Sequence, residues 1–168
     1  NYKHLRLCNF IFLLIVIQGF VGWLMVKSGL VNNVSVSHYR LSLHLTIALI
    51  IISLLFWMIL NIKNRSNKAF FKKNKNNYFF YFLLLIIFFQ VILGAFVSGL
   101  DAGKLYQTWP LMNLDYFPDD VLIEKIFDFL NFDNHGLVQF YHRNLAYIIM
   151  ISIILFGFYI FKNNINKL

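Results

Sequence analysis

The stretch NNYFFYFLLLIIFFQVILGAFVSGL, Asn76–Leu100, decides the fold because it contains no Asp, Glu, Lys or Arg. A helix that crosses the hydrocarbon core of a membrane needs about 20 mainly apolar residues. Inside that core, only helices and closed barrels can satisfy every backbone N–H and C=O group. The stretch therefore predicts a transmembrane helix.

The rest of the chain repeats this pattern, and three further segments lack all four charged residue types: Leu7–Val26, Leu41–Ile62 and Asn144–Phe161. The 168 residues are 60% hydrophobic and only 13% charged, which excludes an ordinary soluble domain. We predict an all-α, polytopic membrane helix bundle with four transmembrane helices. The first span lacks a small-residue cleavage site, which speaks against a signal peptide. Because the chain begins with Asn1, we expect it to be part of a longer protein.

Charge predicts the orientation of these helices. The segment 63–77 carries six basic residues and no acidic one: Lys63, Arg65, Lys68, Lys72, Lys73 and Lys75. By the positive-inside rule this loop is cytoplasmic, or on the matrix side in a mitochondrion. All seven acidic residues lie between Asp101 and Asp133, so the loop 101–137 is predicted to be outside. The net charge of +8 is concentrated between spans, and we predict no nucleic-acid partner.

The outer loop contains an amphipathic stretch near Val121–Leu130, for which we predict a short helix on the membrane surface. Trp109 in the same loop fits either a cover over a bound group or an interfacial anchor.

An internal repeat divides the chain into two helix pairs. Gln18 and Gly22 in the first span recur as Gln90 and Gly94 in the third, and an SGL sequence follows each glycine. The next span of each pair opens with a histidine that is followed four residues later by an alanine, in HLTIA and in HRNLA. We predict a parallel repeat, with a first pair at 1–62, a basic linker at 63–77 and a second pair at 78–168.

The repeat directs attention to His44 and His142, the histidines that open the second helix of each pair. Ionisable groups within spans are costly and are candidates for function. Three functions fit: haem ligation, proton relay and metal transport, while a satisfied structural hydrogen bond is the plain alternative. The four spans contain no carboxylate, which disfavours a proton or metal path.

Two arginines favour haem among these options. Arg143 adjoins His142, and Arg40 precedes His44 by one helical turn. A guanidinium can hold a haem propionate near the interface while a histidine binds iron deeper in the membrane. Gln139, one turn before Arg143, is a further candidate. Snorkelling of the arginines to lipid headgroups is the competing explanation.

Four motifs together resemble the haem A synthases of bacterial inner membranes and mitochondria. The motifs are GWLMVKSGL, HYRLSLHLTIA, LGAFVSGLDAGKLYQTWPLM and QFYHRNLAY. The resemblance covers nearly the whole chain. It implies an eight-helix protein with two four-helix halves, of which this chain holds the third to sixth helices.

The resemblance also implies the chemistry. His44 and His142 match iron ligands in different halves, with partner histidines on helices outside this chain. The implied reaction oxidises a ring methyl of haem O, the substrate, to the formyl group of haem A, with haem b as a cofactor. The glutamate that the family uses in catalysis has no match here, so we assign no catalytic acid or base.

Physical reasoning leaves other arrangements and classes open. His44 and His142 both lie near the outer face, so they could clamp a single haem; the resemblance places them in separate pockets. A b-type bis-histidine electron-transfer cytochrome is the rival function, and an assembly subunit without a cofactor is a third class. Expected partners are membrane lipid, haem O synthase or oxidase assembly factors, an electron donor protein or quinone, and a second copy of the chain. We expect a bacterial inner membrane in preference to a mitochondrial one.

Overall fold

The structure, a computed structural model, describes residues 2–29, 36–64 and 78–162, which are mainly helical apart from an irregular connection at 101–134. Four long helices are present, α1 Tyr2–Gly29, α2 His38–Lys63, α3 Tyr78–Gly99 and α4 His135–Lys162. All four are long and apolar enough to cross a membrane, which confirms the predicted fold class. Most of the basic segment 63–77 and the connection 30–35 lie outside the described residues.

The helices form two compact units, Asn1–Asn77 and Tyr78–Leu168. In the first unit α1 packs against α2, and Ile11, Val21 and Ile51 are buried between them. In the second unit α3 packs against α4, and Ile86, Ala95 and Phe96 are buried. Many other apolar side chains of the four helices are exposed, as a membrane helix allows, because lipid rather than water would surround them.

The connection between α3 and α4 is folded against its own helix pair. It begins with a short 3-10 helix, Ala102–Lys104, and contains a second one, Ile126–Leu130. Tyr106, Met112 and Pro118 from this connection are almost fully buried, together with Leu137 and Val138 of α4. We call residues 101–134 the outer segment. It has a small apolar core of its own next to the start of α4.

The second 3-10 helix is shorter than the amphipathic helix that the sequence predicts. Asp128 limits its start, because the Asp128 carboxylate accepts the backbone N–H groups of Glu124 and Lys125 at 2.9 and 2.7 Å. Ile126 and Phe127 remain about four-fifths exposed, at 84% and 79%.

Helix α4 begins at His135, nearer the N-terminus than the apolar run at Asn144 and inside the predicted loop 101–137. Asn134 explains this start. The Asn134 side-chain oxygen accepts the Leu137 N–H at 2.8 Å, and its carbonyl accepts the Val138 N–H at 3.1 Å. This is the bonding expected of an N-cap residue, which satisfies N–H groups that the first turn leaves unpaired.

Candidate functional site

His44 in the first unit lies against α1. The Gln18 side-chain amide of α1 donates to the His44 carbonyl at 3.0 Å and contacts the His44 Nε2 at 3.2 Å. One turn further along α1, Gly22 faces the ring, and a Cβ atom at this position would lie 3.1 Å from His44 Cε1. A side chain at this position would press on the imidazole, so glycine allows the close contact between α1 and the His44 ring.

His142 in the second unit has the same surroundings. The Gln90 amide of α3 donates to the His142 carbonyl at 3.2 Å and contacts the His142 Nε2 at 3.4 Å. A Cβ atom on Gly94 would lie 3.1 Å from His142 Cε1. The order of Gln, Gly and His in the sequence repeat is thus a repeat of one three-residue arrangement in space.

Each arrangement leaves two polar atoms without a partner among the described residues. The buried atoms are Gln18 Oε1 and His44 Nδ1 in the first unit, and Gln90 Oε1 and His142 Nδ1 in the second. Buried polar groups are normally hydrogen-bonded, and an unpaired one calls for an explanation. A bound group that rearranges the ring and the amide would provide it.

Arg143 binds the outer segment. Its guanidinium donates to the carbonyls of Thr108 and Tyr106 at 2.9 and 2.5 Å. Gln139, buried one turn earlier, donates to the same Tyr106 carbonyl at 2.8 Å and accepts the Tyr106 N–H at 3.3 Å. The structure therefore brings Gln139 and Arg143 together on one stretch of backbone, a role that the sequence does not reveal.

Arg40 and Trp109, which were singled out from the sequence, and Cys8, which was not, are all exposed. Arg40 is exposed at the start of α2. The Trp109 indole donates to the Tyr147 hydroxyl at 2.7 Å while three-quarters of the side chain is exposed. Cys8 is exposed and its thiol lies 3.6 Å from the Met58 sulfur. The described ranges contain no cluster of three or more His, Cys, Asp or Glu residues able to hold a metal ion.

Sequence reasoning missed a cluster around Tyr106. The Tyr106 hydroxyl donates to the Asp119 carboxylate, and Asp120 Oδ1 lies 2.6 Å away. Burial and these two carboxylates raise the pKa of Tyr106, and the hydrogen bond from Tyr106 lowers the pKa of Asp119. The Asp120 carboxylate also covers Gly136 closely enough to exclude a Cβ atom there. The only sequence signal was the concentration of acidic residues in this loop.

The chain was compared with known protein families and with known proteins. The profile of the family described as "Cytochrome oxidase assembly protein" matches residues 2–168. A protein from Pelagibacter ubique named "Heme A synthase" is 45% identical over 90% of this chain and 44% of its own length. Proteins of the same name from Maricaulis maris and from the Wolbachia of Culex pipiens are 38% and 42% identical, over 90% and 81% of this chain.

This chain spans less than half the length of those relatives, 44% for the first two and 41% for the third. No solved structure matched it significantly. The match to the family profile covers nearly every residue, from 2 to 168. The chain belongs to the cytochrome oxidase assembly protein family.

Proposed function

We propose that the complete protein containing this chain is a haem A synthase, a membrane oxidoreductase that converts the ring methyl of haem O to the formyl group of haem A for terminal oxidases. The observation that carries the proposal is the paired arrangement of Gln, Gly and His in both helix pairs. It occurs in a chain 45% identical to a protein named "Heme A synthase".

The chemistry of the two histidines fits a haem. An imidazole nitrogen is a common axial ligand of haem iron. In each unit the His Nε2 has only one long contact, to an uncharged amide at 3.2 or 3.4 Å, and Nδ1 has no partner among the described residues. His44 and His142 would each supply one ligand to a separate haem, one of them haem b. When bound, the haem supplies the redox chemistry that oxidation of a methyl group requires.

The remaining predicted residues would hold the haem periphery. A guanidinium has about five N–H donors. Arg143 uses two of these N–H groups to bind the carbonyls of Thr108 and Tyr106, so its remaining N–H groups could bind a propionate in bidentate fashion. Gln139 would keep Arg143 in place, because both side chains bind the Tyr106 carbonyl. Arg40, one turn before His44, would serve the first site in the same way.

The proposal extends to location and partners. The proposed location is a bacterial inner membrane, and the charge distribution supports a cytoplasmic position for the basic segment 63–77. Haem O synthase, oxidase assembly factors, an electron donor protein or quinone, and a second copy of the chain are the proposed partners.

Haem composition tests the proposed function. The complete reading frame is co-expressed with a haem O synthase, and the extracted haems are identified by mass. We expect haem A with the wild type and only background haem A with His44→Ala or His142→Ala. His135→Ala is the control, because His135 is exposed at the first residue of α4. Unmodified haem b alone would identify an electron-transfer cytochrome, and no haem at all an assembly subunit without a cofactor.

A further inference from the structure

The Gln18 and Gln90 amides each face two acceptor positions on a single histidine. The nitrogen end of Gln18 lies 3.0 Å from the His44 carbonyl and 3.2 Å from His44 Nε2. The corresponding distances from Gln90 to His142 are 3.2 and 3.4 Å. An amide NH2 group has two hydrogens, so it can donate to both atoms at once.

The backbone carbonyl fixes which end of the amide faces the histidine. If the Gln18 amide were turned over, its oxygen would stand about 3 Å from the His44 carbonyl oxygen, and two acceptors would repel each other. The nitrogen end therefore faces the ring. His44 Nε2 must then accept, so it carries a lone pair and the ring proton is on Nδ1. The same reasoning applies to Gln90 and His142.

This tautomer is the one that an iron atom requires at Nε2, because a metal binds the unprotonated nitrogen. Nδ1 of each histidine is buried and has no partner among the described residues. The Cε1 and Nδ1 edge of His44 lies over Gly22, where a Cβ atom would be 3.1 and 3.5 Å from these two atoms. For His142 over Gly94 the distances are 3.1 and 3.7 Å. Iron would thus approach Nε2, the nitrogen that the glutamine amide covers.

We propose that Gln18 and Gln90 are positioning residues that act as placeholders on the ligand nitrogens of His44 and His142 before haem binds. Each amide selects the tautomer with the proton on Nδ1 and occupies the Nε2 lone pair. When Nε2 holds the iron of a bound haem, the amide would no longer donate to that nitrogen. The amide keeps its bond to the histidine carbonyl, and no proton is transferred. The inference rests on the proposed haem-binding function.

A purely structural bond between helices is the competing explanation. Such a bond needs only the histidine carbonyl, which would accept the amide whatever the ring does. It predicts no dependence of the histidine tautomer on the glutamine. The tautomer and the affinity for haem therefore separate the two explanations.

Nitrogen-15 NMR of the complete, haem-free protein labelled on histidine tests the tautomer directly. The two signals are assigned by their loss in His44→Ala and His142→Ala. We expect His44 and His142 to carry the proton on Nδ1 in the wild type. Gln18→Leu and Gln90→Leu should each shift the facing histidine, and only that one, toward a mixture of tautomers. A proton on Nε2 in the wild type would overturn the proposal even if neither variant folds.

Titration of the same haem-free protein with ferric haem, followed by the Soret band, tests the competition. Gln18→Leu and Gln90→Leu remove a weak competitor from Nε2, so we expect tighter binding at the altered site by about threefold to tenfold. Ser53→Ala is the control, because Ser53 bonds only within α2, to the Leu49 carbonyl at 2.7 Å. Unchanged or weaker binding would overturn the placeholder role. A wild type that binds no haem would refute the proposed function as well, whereas haem binding with Nε2 protonated would refute the placeholder alone.

Discussion

At the scale of single residues, contact between a glycine and an imidazole sets how closely the two helices of each unit approach. Gly22 and Gly94 each face a histidine ring with no room for a side chain. Gly19, in the same helix as Gly22, has nothing within 4 Å of its Cβ position. Gly19 and Gly22 thus share a helix and differ in what they face.

Gly22→Ala should therefore displace the His44 ring by a few tenths of an ångström and weaken haem binding at that site. The added Cβ would lie 3.1 Å from His44 Cε1, closer than ordinary van der Waals contact. We expect a several-fold loss of haem affinity, measured by ferric haem titration of the complete protein.

Gly19→Ala is the matched control for this change. Alanine is favoured over glycine in a helix by about 1 kcal/mol, so this variant should bind haem normally and be as stable as the wild type or more so. Equal haem affinity in Gly19→Ala and Gly22→Ala would show that the glycine contact does not position His44.

Arg143 shows where residue-level reasoning from sequence stops. Its adjacency to His142 is visible in the sequence and led to a haem-propionate role, which stays a prediction. Its partners in the structure are backbone carbonyls of Tyr106 and Thr108. Any residue type offers a carbonyl, so no sequence pattern could have indicated these bonds.

At the scale of elements, the outer segment contains a buried tyrosine, Tyr106, whose hydroxyl meets two carboxylates, Asp119 and Asp120. The pKa of Tyr106 is raised, so folding keeps its proton on at pH values where the unfolded chain loses it, above about 10. The pKa of Asp119 is lowered by folding. Its contribution to the free energy of unfolding is therefore fully present above about pH 4, and it is lost as the pH falls through the pKa that Asp119 has in the folded protein.

Tyr106→Phe should accordingly lower the thermal midpoint of the complete protein by about 2 to 5 °C near pH 7. The difference between wild type and variant should shrink above pH ~10, where ionisation of the unfolded Tyr106 removes the wild type's advantage. It should also shrink as the pH falls below ~4, because the unfolded Asp119 is protonated there and the folded carboxylate takes up its proton at still lower pH. Calorimetry of both proteins across this range measures the difference.

Tyr116→Phe provides the comparison, because the Tyr116 hydroxyl donates to the Asn144 amide oxygen instead of a carboxylate. Its effect should not shrink on acidification below pH ~4, because no carboxylate takes part in this bond. A Tyr106→Phe effect that is equally flat would mean that the carboxylates do not support the outer segment.

Helix boundaries were predictable only where composition changes. The apolar runs located all four helices, but α4 begins at His135, directly after its N-cap residue Asn134 and ahead of its apolar run. A helix continues past the membrane wherever a cap residue and packing support it, and Leu137 and Val138 supply that packing. The short 3-10 helix at Ile126–Leu130 likewise depends on the Asp128 carboxylate, a local bond that periodicity does not show.

At the scale of the whole molecule, charge distribution predicts which loops face which side of the membrane. Leu114 in the outer segment is 89% exposed and suits a probe of the outside. Lys68 in the basic segment, outside the described residues, suits a probe of the cytoplasm. Cys8 is the only cysteine of the chain.

In the complete protein freed of other cysteines by changes such as Cys8→Ser, we expect Leu114→Cys to react in intact cells with a membrane-impermeant maleimide. Lys68→Cys should react only after the cells are opened, because the positive-inside rule places its loop in the cytoplasm. The reverse pattern would invert the orientation and place His44 and His142 near the inner face.

The sequence was most informative where one physical demand acts alone. Exclusion of charge from lipid located α1 to α4, and the recurrence of Gln, Gly and His identified the residues that meet in each unit. The Tyr106 cluster escaped, because it joins residues of an irregular segment whose side chains follow no period. Gln139 was selected as a haem-binding candidate, which stays a prediction, and its bonds from both ends of the amide to the Tyr106 backbone were not foreseen.

The attachment of Tyr106 to Gln139 has a consequence for chain entropy. It divides the long connection between α3 and α4 into a short loop before Tyr106 and a longer one after it. The closure entropy of a loop grows only with the logarithm of its length. Residues added near the exposed Leu122 would lengthen only the second loop and lower the free energy of unfolding by less than about 1 kcal/mol. The His142 helix pair would stay unchanged. The connection can therefore vary in length while the site beneath it stays the same.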